Sequence, residues 1–466
     1  MRLVLGLSCA FVALAAIPAP DSTSTIDWRR FDWTYFRSGV YPYNTRITEA
    51  NVKHLVLRKV RLDGTVDASA LYRHNARILN KRYDAFFVTT TYGRTEAIDA
   101  ATGKVLWRFT PPGYSSWVGT ARITTATPVI GAARGYVYAA APNGRVYKLF
   151  TNTGRVIWSV AVTKLPSHEK IASALNYYGG LLIVTTGGYL GDVPPYQGHV
   201  VVIETATGRV LHVWNALCSN RSGLLDPSSC PSSGSGIWGR GGAVVDGATG
   251  DILVATGNGP WDGLTKWGDA VVRLTPDASG LLGSYTPSNT DELNASDQDL
   301  GSTAPVILDE RHLAQGGKDG KIRVLDVEQM VGPVGRKGGS LQTVSTPGGA
   351  ALFTAPAFWS QGPGLGWLFV ANGSGTAVWR WRNGKLTRAW ENGTAGTSPI
   401  VAGGLLWIYN PNGGLNVYQP TTGKLVARLP CGKGHWNSPI VIDGRVALPE
   451  GNANDHEQSG VLDIWR

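Results

Sequence analysis

The segment "VATGNGPWDGLTKWGDAVVRL", Val254 to Leu274, concentrates polar chemistry in an otherwise apolar stretch. An apolar strand runs into Gly257-Asn258-Gly259-Pro260-Trp261, and Gly268-Asp269 leads into the next apolar run. An ordinary hairpin connection of two to five residues needs neither tryptophan nor paired acids. An Asn carbonyl is a suitable oxygen ligand for a hard cation, and a carboxylate can accept a hydroxyl proton. The same residues also read as turn formers, because Asn tolerates left-handed backbone and Asp caps turns. Trp261 and Trp267 read first as packing residues. The loops "GHWNSP" and "GNANDHEQSG" carry His435, Trp436, Asp455 and His456. No serine-nucleophile motif accompanies them, which argues against a hydrolase.

The elements that must position these residues come from a repeat. "GRTEAIDAATGKVLWRF" from Gly93, "GRVYKLFTNTGRVIWSV" from Gly144 and "GHVVVIETATGRVLHVW" from Gly198 share one pattern. Each has a Gly, alternating apolar residues, a Thr-Gly turn and a strand ending at or near Trp. Looser copies begin at Gly268, Gly320, Gly375, Gly414 and Gly460, and each copy is preceded by another apolar strand pair. Four short strands per unit, recurring roughly every 40 to 70 residues, predict the blades of a β-propeller. The fold class expected is all-β: an eight-bladed propeller of four-stranded antiparallel blades. The last unit lacks an outer strand, and "NVKHLVLRKVRL" (51–62) is a spare one. Pairing it with "GVLDIWR" would close the ring through N- and C-terminal strands and remove an exposed edge.

Composition agrees. The 466-residue chain has 60 Gly and 17 Trp, with only 16% charged residues. Its 43% apolar content excludes global disorder. The net charge is +10, but no basic block of the kind that binds nucleic acid is present. "MRLVLGLSCAFVALAAIPAPDS" reads as a signal peptide over residues 1–20, which predicts a secreted or periplasmic product. No transmembrane anchor is expected after its removal. Residues 21–466 are then expected to form a single propeller domain. In an oxidising compartment Cys218 and Cys230 could close a short disulfide around an inserted loop, leaving Cys431 free.

The units "AIDAATGKVLW", "TNTGRVIW" and "ETATGRVLHVW" resemble the tryptophan-docking repeats of the pyrroloquinoline quinone (PQQ) dehydrogenase superfamily. Those proteins are eight-bladed propellers with PQQ and Ca²⁺ near the axis. The repeat also occurs in an outer-membrane assembly scaffold that binds no PQQ. Residue by residue, the resemblance implies Asn258 of "ATGNGPW" as a Ca²⁺ ligand and Lys318 of "GGKDGKIRVLD" as a quinone contact. It implies Asp269 of "WGDAVV" as the catalytic base and a metal ligand. The family's Ca²⁺-binding Glu falls at "TTGGYLGDVPPYQG", where Tyr189 and Leu190 stand and the nearby Asp192 is the carboxylate expected to substitute as metal ligand. The family's stacking Trp aligns with Arg240, with Trp238 two residues earlier on the same face of a regular strand. The function implied is PQQ- and Ca²⁺-dependent oxidation of an alcohol or sugar hydroxyl. With no haem motif in the chain, electrons would leave to a separate acceptor. The alternative is a non-catalytic binding or assembly scaffold.

Overall fold

A computed structural model describes residues 27–466. The segment read as a signal peptide, Cys9 included, lies outside the described residues. Eight blades surround one axis. Seven span 71–109, 129–161, 176–215, 244–285, 306–345, 357–392 and 400–429. The eighth joins Ile440–Ile442, Arg445–Glu450 and Gly460–Trp465 to the N-terminal strand Leu57–Leu62. Leu57 pairs with Trp465 and Leu62 with Gly460 in an antiparallel ladder. The closure is as expected, but the closing strand is shorter than 51–62. A 3₁₀ turn over Val52–His54 precedes it.

The repeat pattern has a packing reason. In the second blade Gly154 has φ +71°, and a Cβ there would lie 2.6 Å from Cε3 of Trp107 in the first blade. The Trp107 indole rests on this bare backbone and donates Nε1–H to the Thr151 carbonyl at 2.9 Å. Trp158 repeats the arrangement against Gly208 and the Thr205 carbonyl, and Trp390 against Gly423 and the Pro420 carbonyl. Each docking Trp thus bridges to the next blade, and glycine is required because a side chain would fill its seat. At the closing seam, Val60 of the N-terminal strand lies against Gly103 instead.

Residues 27–41 cover one end of the axis. Phe31 packs with Ala174 and Ala355, which precede the third and sixth blades. Buried Arg37 donates to the carbonyls of Phe31, Ala174, Leu175 and Gly241 at 3.0 to 3.2 Å. Its guanidinium satisfies carbonyls that converge on the axis, where sheet pairing cannot reach them. Cys218 and Cys230 form a disulfide across the inserted loop, and Cys431 is free. No helix among the described residues is long and apolar enough to cross a membrane.

Candidate active site at the axial cavity

A cavity of about 500 Å³ opens at the axis. Its wall draws Asp67, Lys170, Asp192, Trp238, Asp299, Lys318, Phe353 and His435 from sequence positions far apart. Only the centre of a closed ring brings such segments together. A larger cleft of about 710 Å³ is lined by residues 210–214 and 219–224 with Ala278 and Ser279, away from this centre.

The Gly-Asn-Gly segment is built for close approach. A Cβ on Gly257 would sit 2.1 Å from Asp299 Oδ1, and one on Gly259 would sit 2.2 Å from Ser235 Oγ. Between them, the Asn258 main-chain N–H donates to Asp299 Oδ1 at 2.7 Å. Its Nδ2 donates to Asp297 Oδ1 at 3.0 Å. That leaves Asn258 Oδ1 buried with no hydrogen-bond partner. Lys318 pairs with Asp297 Oδ1 at 2.9 Å and with Asp299 Oδ2. Burial works against this ammonium, but Asp299 and Asp297 outweigh it and raise its pKa. The Lys318 Nζ lies 5.5 Å from the centre of the Trp238 ring, within cation–π range.

Asp192 lines the same cavity with a left-handed backbone, φ +49°. Burial raises its carboxyl pKa; a hydrogen bond from Tyr196 opposes this, and Asp299 adds to it. Trp238 also lines the cavity, but no regular strand contains residues 238–240, so the expected shared face is absent. The connection is irregular because Gly239 and Gly241 pack against Thr303 and Ala304 of the neighbouring connection. Arg240 is 3% exposed and sits behind the wall. Its Nη2 meets Asp67 Oδ1 at 2.7 Å, Nη1 donates to the Thr125 carbonyl at 2.8 Å, and its guanidinium carbon is 5.5 Å from the Trp436 ring.

Asp269 lies elsewhere. Its φ of +48° turns the carboxylate behind Leu300, and the residue is fully buried. Oδ1 accepts the Leu300 N–H at 2.9 Å, while Oδ2 has no partner. Burial pushes this carboxyl up to about 8, against the Leu300 hydrogen bond and with help from Asp299. Its contact with the cavity is therefore indirect, through the residue following Asp299. Trp267 is fully buried and donates to Ser219 Oγ at 2.8 Å; Trp261 packs beside it. Asp262 caps its loop by accepting the N–H groups of Leu264, Thr265 and Lys266.

Several cavity residues are not evident from sequence alone. Asp297 and Asp299 stand two apart in "SDQDLG", just before the fifth blade, and this spacing was the available signal. Trp238, Phe353 and Trp436 present ring planes within 16° to 35° of one another, with centroids 5.7 to 6.2 Å apart. His435 stacks on Trp436 with centroids 4.0 Å apart, and its Nδ1 lies 2.7 Å from Asp67 Oδ2. Burial opposes ionisation of Asp67, but Arg240, His435 and the Ala453 N–H hold its carboxyl well below the usual range.

Comparison with known proteins agrees with this architecture. The family described as outer membrane protein assembly factor BamB matches residues 91–275. Quinohemoprotein alcohol dehydrogenase ADH IIB of Pseudomonas putida is 26% identical over 366 residues, covering 70% of this chain and 50% of the relative. The dehydrogenase subunit of the quinone alcohol dehydrogenase of Acetobacter aceti is 24% identical over 52% of this chain and 37% of its own length. The crystal structure of quinohemoprotein alcohol dehydrogenase from Comamonas testosteroni superposes with a TM-score of 0.70 at 17% identity, covering 96% of this chain and 81% of that one. This chain has the eight-bladed propeller fold of these quinoprotein dehydrogenases and is similar to them in sequence. The chain spans about half the length of the first of these curated relatives. BamB from Moraxella catarrhalis shares the fold more loosely, with a TM-score of 0.52 and 14% identity, covering 88% of this chain and 98% of that one.

Proposed function

We propose that this propeller is a quinoprotein dehydrogenase that oxidises an alcohol or sugar hydroxyl, with PQQ and Ca²⁺ at the axial cavity. One observation carries the reading. Lys318 stands between Asp297 and Asp299 beside the Trp238 ring, while Asn258 Oδ1 is buried without a partner next to them. An orphaned carbonyl oxygen among carboxylates is the donor chemistry a hard cation takes. Asn258, Asp297 and Asp192 would hold Ca²⁺. The near-parallel faces of Trp238, Phe353 and Trp436 suit a flat conjugated ring system. When bound, PQQ would supply the acceptor for a hydride, which carries both electrons of the oxidation.

The chain's own groups divide the remaining work. Lys318 keeps a positive charge where an acceptor oxygen gains negative charge. Asp299 borders the cavity beside Lys318 and is better situated than Asp269 to hold the substrate's hydroxyl proton. Asp269 would act as a positioning residue, because its Oδ1 fixes the Leu300 N–H and thereby the Asp299 segment. Arg240 would support the aromatic wall from behind rather than stack on the ring. A separate acceptor would receive the electrons. We further propose that residues 21–466 act as one domain in a secreted or periplasmic protein.

The scaffold reading has its own support. The family match over 91–275 is to an assembly factor, and Tyr189 and Leu190 stand where the resemblance expects a Glu. Titration with PQQ and Ca²⁺, followed by absorbance and by dye-linked alcohol oxidation, separates the two. Saturable uptake with turnover is expected; no uptake overturns the dehydrogenase reading. Asp299→Asn should abolish turnover while uptake persists. Loss of turnover in Asp269→Asn with Asp299→Asn active would return the base to Asp269.

A further inference from the structure

At the seam between the third and fourth blades the docking pair is replaced on both sides. In the first, second and sixth blades the outer strand carries a bulge, and the first paired residue beyond it is the docking indole. These are Trp107 opposite Ala97, Trp158 opposite Lys148 and Trp390 opposite Val378. In the third blade that place, opposite Val202, belongs to His212. The glycine seat lies two residues before the outer-strand pairing begins: Gly154 before Val156, Gly208 before Val210 and Gly423 before Leu425. In the fourth blade this pairing begins at Leu281, so Ser279 takes the seat. The His212 imidazole is smaller than an indole, and its Nε2 lies 3.5 Å from Asp277 Oδ2. The seam therefore stays open as the cleft of about 710 Å³. Its size is that of a small-molecule site, roughly 300 to 1,000 Å³.

The inserted loop forms the outer wall. The Cys218–Cys230 disulfide closes it, and Asn215 Nδ2 donates to the Arg221 and Gly223 carbonyls at 2.9 and 3.1 Å. Asn215 is fixed in turn by buried His199, whose Nδ1 lies 2.7 Å from its Oδ1. At the base lies Trp214, 5% exposed, with an Nε1–H that has no acceptor among the described residues. Each of the three docking indoles satisfies this group with a carbonyl. A buried donor left unmet is costly and marks where an acceptor belongs. Leu211 and Leu224 add apolar surface to the cleft, while His212, Asn220, Arg221 and Ser279 bring polar groups to it.

We propose that this inter-blade cleft binds a saccharide, with the Trp214 Nε1–H donating to one of its oxygens. A sugar presents apolar C–H faces ringed by hydroxyls that both donate and accept. Apolar walls set with mixed donors and acceptors match it. The lining holds one guanidinium, Arg221, which is too little charge for a polyanion. The cleft lies on the outer strand of a blade, apart from the axial cavity, and requires neither PQQ nor the dehydrogenase reading.

The test is isothermal titration calorimetry of the purified chain, without PQQ or Ca²⁺, with maltotriose, cellotriose and triacetylchitotriose as probes. Saturable binding of at least one is expected with a Kd below about 1 mM, and no binding of any up to about 10 mM overturns the inference. Trp214→Phe keeps the packing and removes the donor, so affinity should fall about tenfold. His212→Trp combined with Ser279→Gly rebuilds the docking pair and should abolish binding, while an undiminished urea midpoint shows that the ring is intact. Asn220→Ala changes an exposed residue and should weaken binding at least about threefold without touching the fold. Binding that survives both the rebuilt seam and Trp214→Phe lies elsewhere in the chain and overturns the inference. Cosedimentation with insoluble starch, cellulose or chitin distinguishes the sources. Retention on a polymer, reversed by its trisaccharide, makes the ligand a surface glycan. Trisaccharide binding without retention makes it a free oligosaccharide.

Discussion

Asp269→Asn should make the protein more stable in alkaline solution while leaving it nearly unchanged in acid. The folded chain holds the Asp269 proton up to a pH of about 8, against an ordinary 3.8. Unfolding therefore releases this proton across that interval, and stability falls as pH rises from about 4 to about 8. Above about 8 the buried carboxylate is charged, with Oδ2 lacking any partner. Every tenfold difference in proton affinity between folded and unfolded chain is worth about 1.4 kcal/mol, which sets a ceiling of roughly 5 to 6 kcal/mol. Local relaxation reduces the effect, and about 2 to 4 kcal/mol is expected. Asn retains an Oδ1 that accepts the Leu300 N–H, and its amide replaces a neutral acid at low pH. The two proteins should then differ by less than about 1 kcal/mol near pH 5. Thermal and urea unfolding, read by tryptophan fluorescence at about pH 5, 7 and 9, would measure the difference. If the variant gains nothing at about pH 9 relative to about pH 5, burial does not hold the proton on Asp269 and the reasoning is refuted.

Three further outcomes are expected. Gly154→Ala forces a side chain into the Trp107 seat at φ +71° and should destabilise by about 2 to 4 kcal/mol in urea titration; an unchanged midpoint would contradict the docking role of that glycine. Asp67→Asn leaves buried Arg240 without its counter-charge and should lose about 3 to 5 kcal/mol near neutrality. Because the Asp67 pKa is depressed by folding, that deficit should shrink as pH falls below about 4, which acid titration of both proteins would show. Burial pushes the Cys431 thiol up to about 12, so it should react with a disulfide reagent only on unfolding; rapid labelling of the native chain would contradict this.

The blade architecture was legible because the constraints that build it are local. Thr-Gly and the following Trp recur where one blade offers a bare glycine seat to its neighbour's indole, as at Gly154, Gly208 and Gly423. The glycines around Asn258 were equally readable, though their reason, the approach of Asp299 and Ser235, was not. The cavity was legible only in pieces. Lys318, Asn258, Asp192 and Trp238 were singled out through resemblance to known segments. Asp67, Lys170, Asp299, Phe353 and His435 sit on connections with little periodicity and meet only after eight blades close. Asp269 shows the converse problem. Nearness to Asn258 in sequence does not bring its carboxylate to the same surface, because a single left-handed residue turns it away.

The closing ladder has a consequence for how the chain is made. Leu57–Leu62 finds its partner only in Gly460–Trp465. During synthesis from the N-terminus, about four hundred residues must emerge before that partner exists. Until then, Leu57–Leu62 and the partly made last blade, at Arg445–Glu450, both offer unpaired edges to other chains. Synthesis of Gly460–Trp465 is therefore also the step that ends this hazard. Sequence changes in Gly460–Trp465 should weigh on yield more heavily than their contacts in the finished ring would suggest.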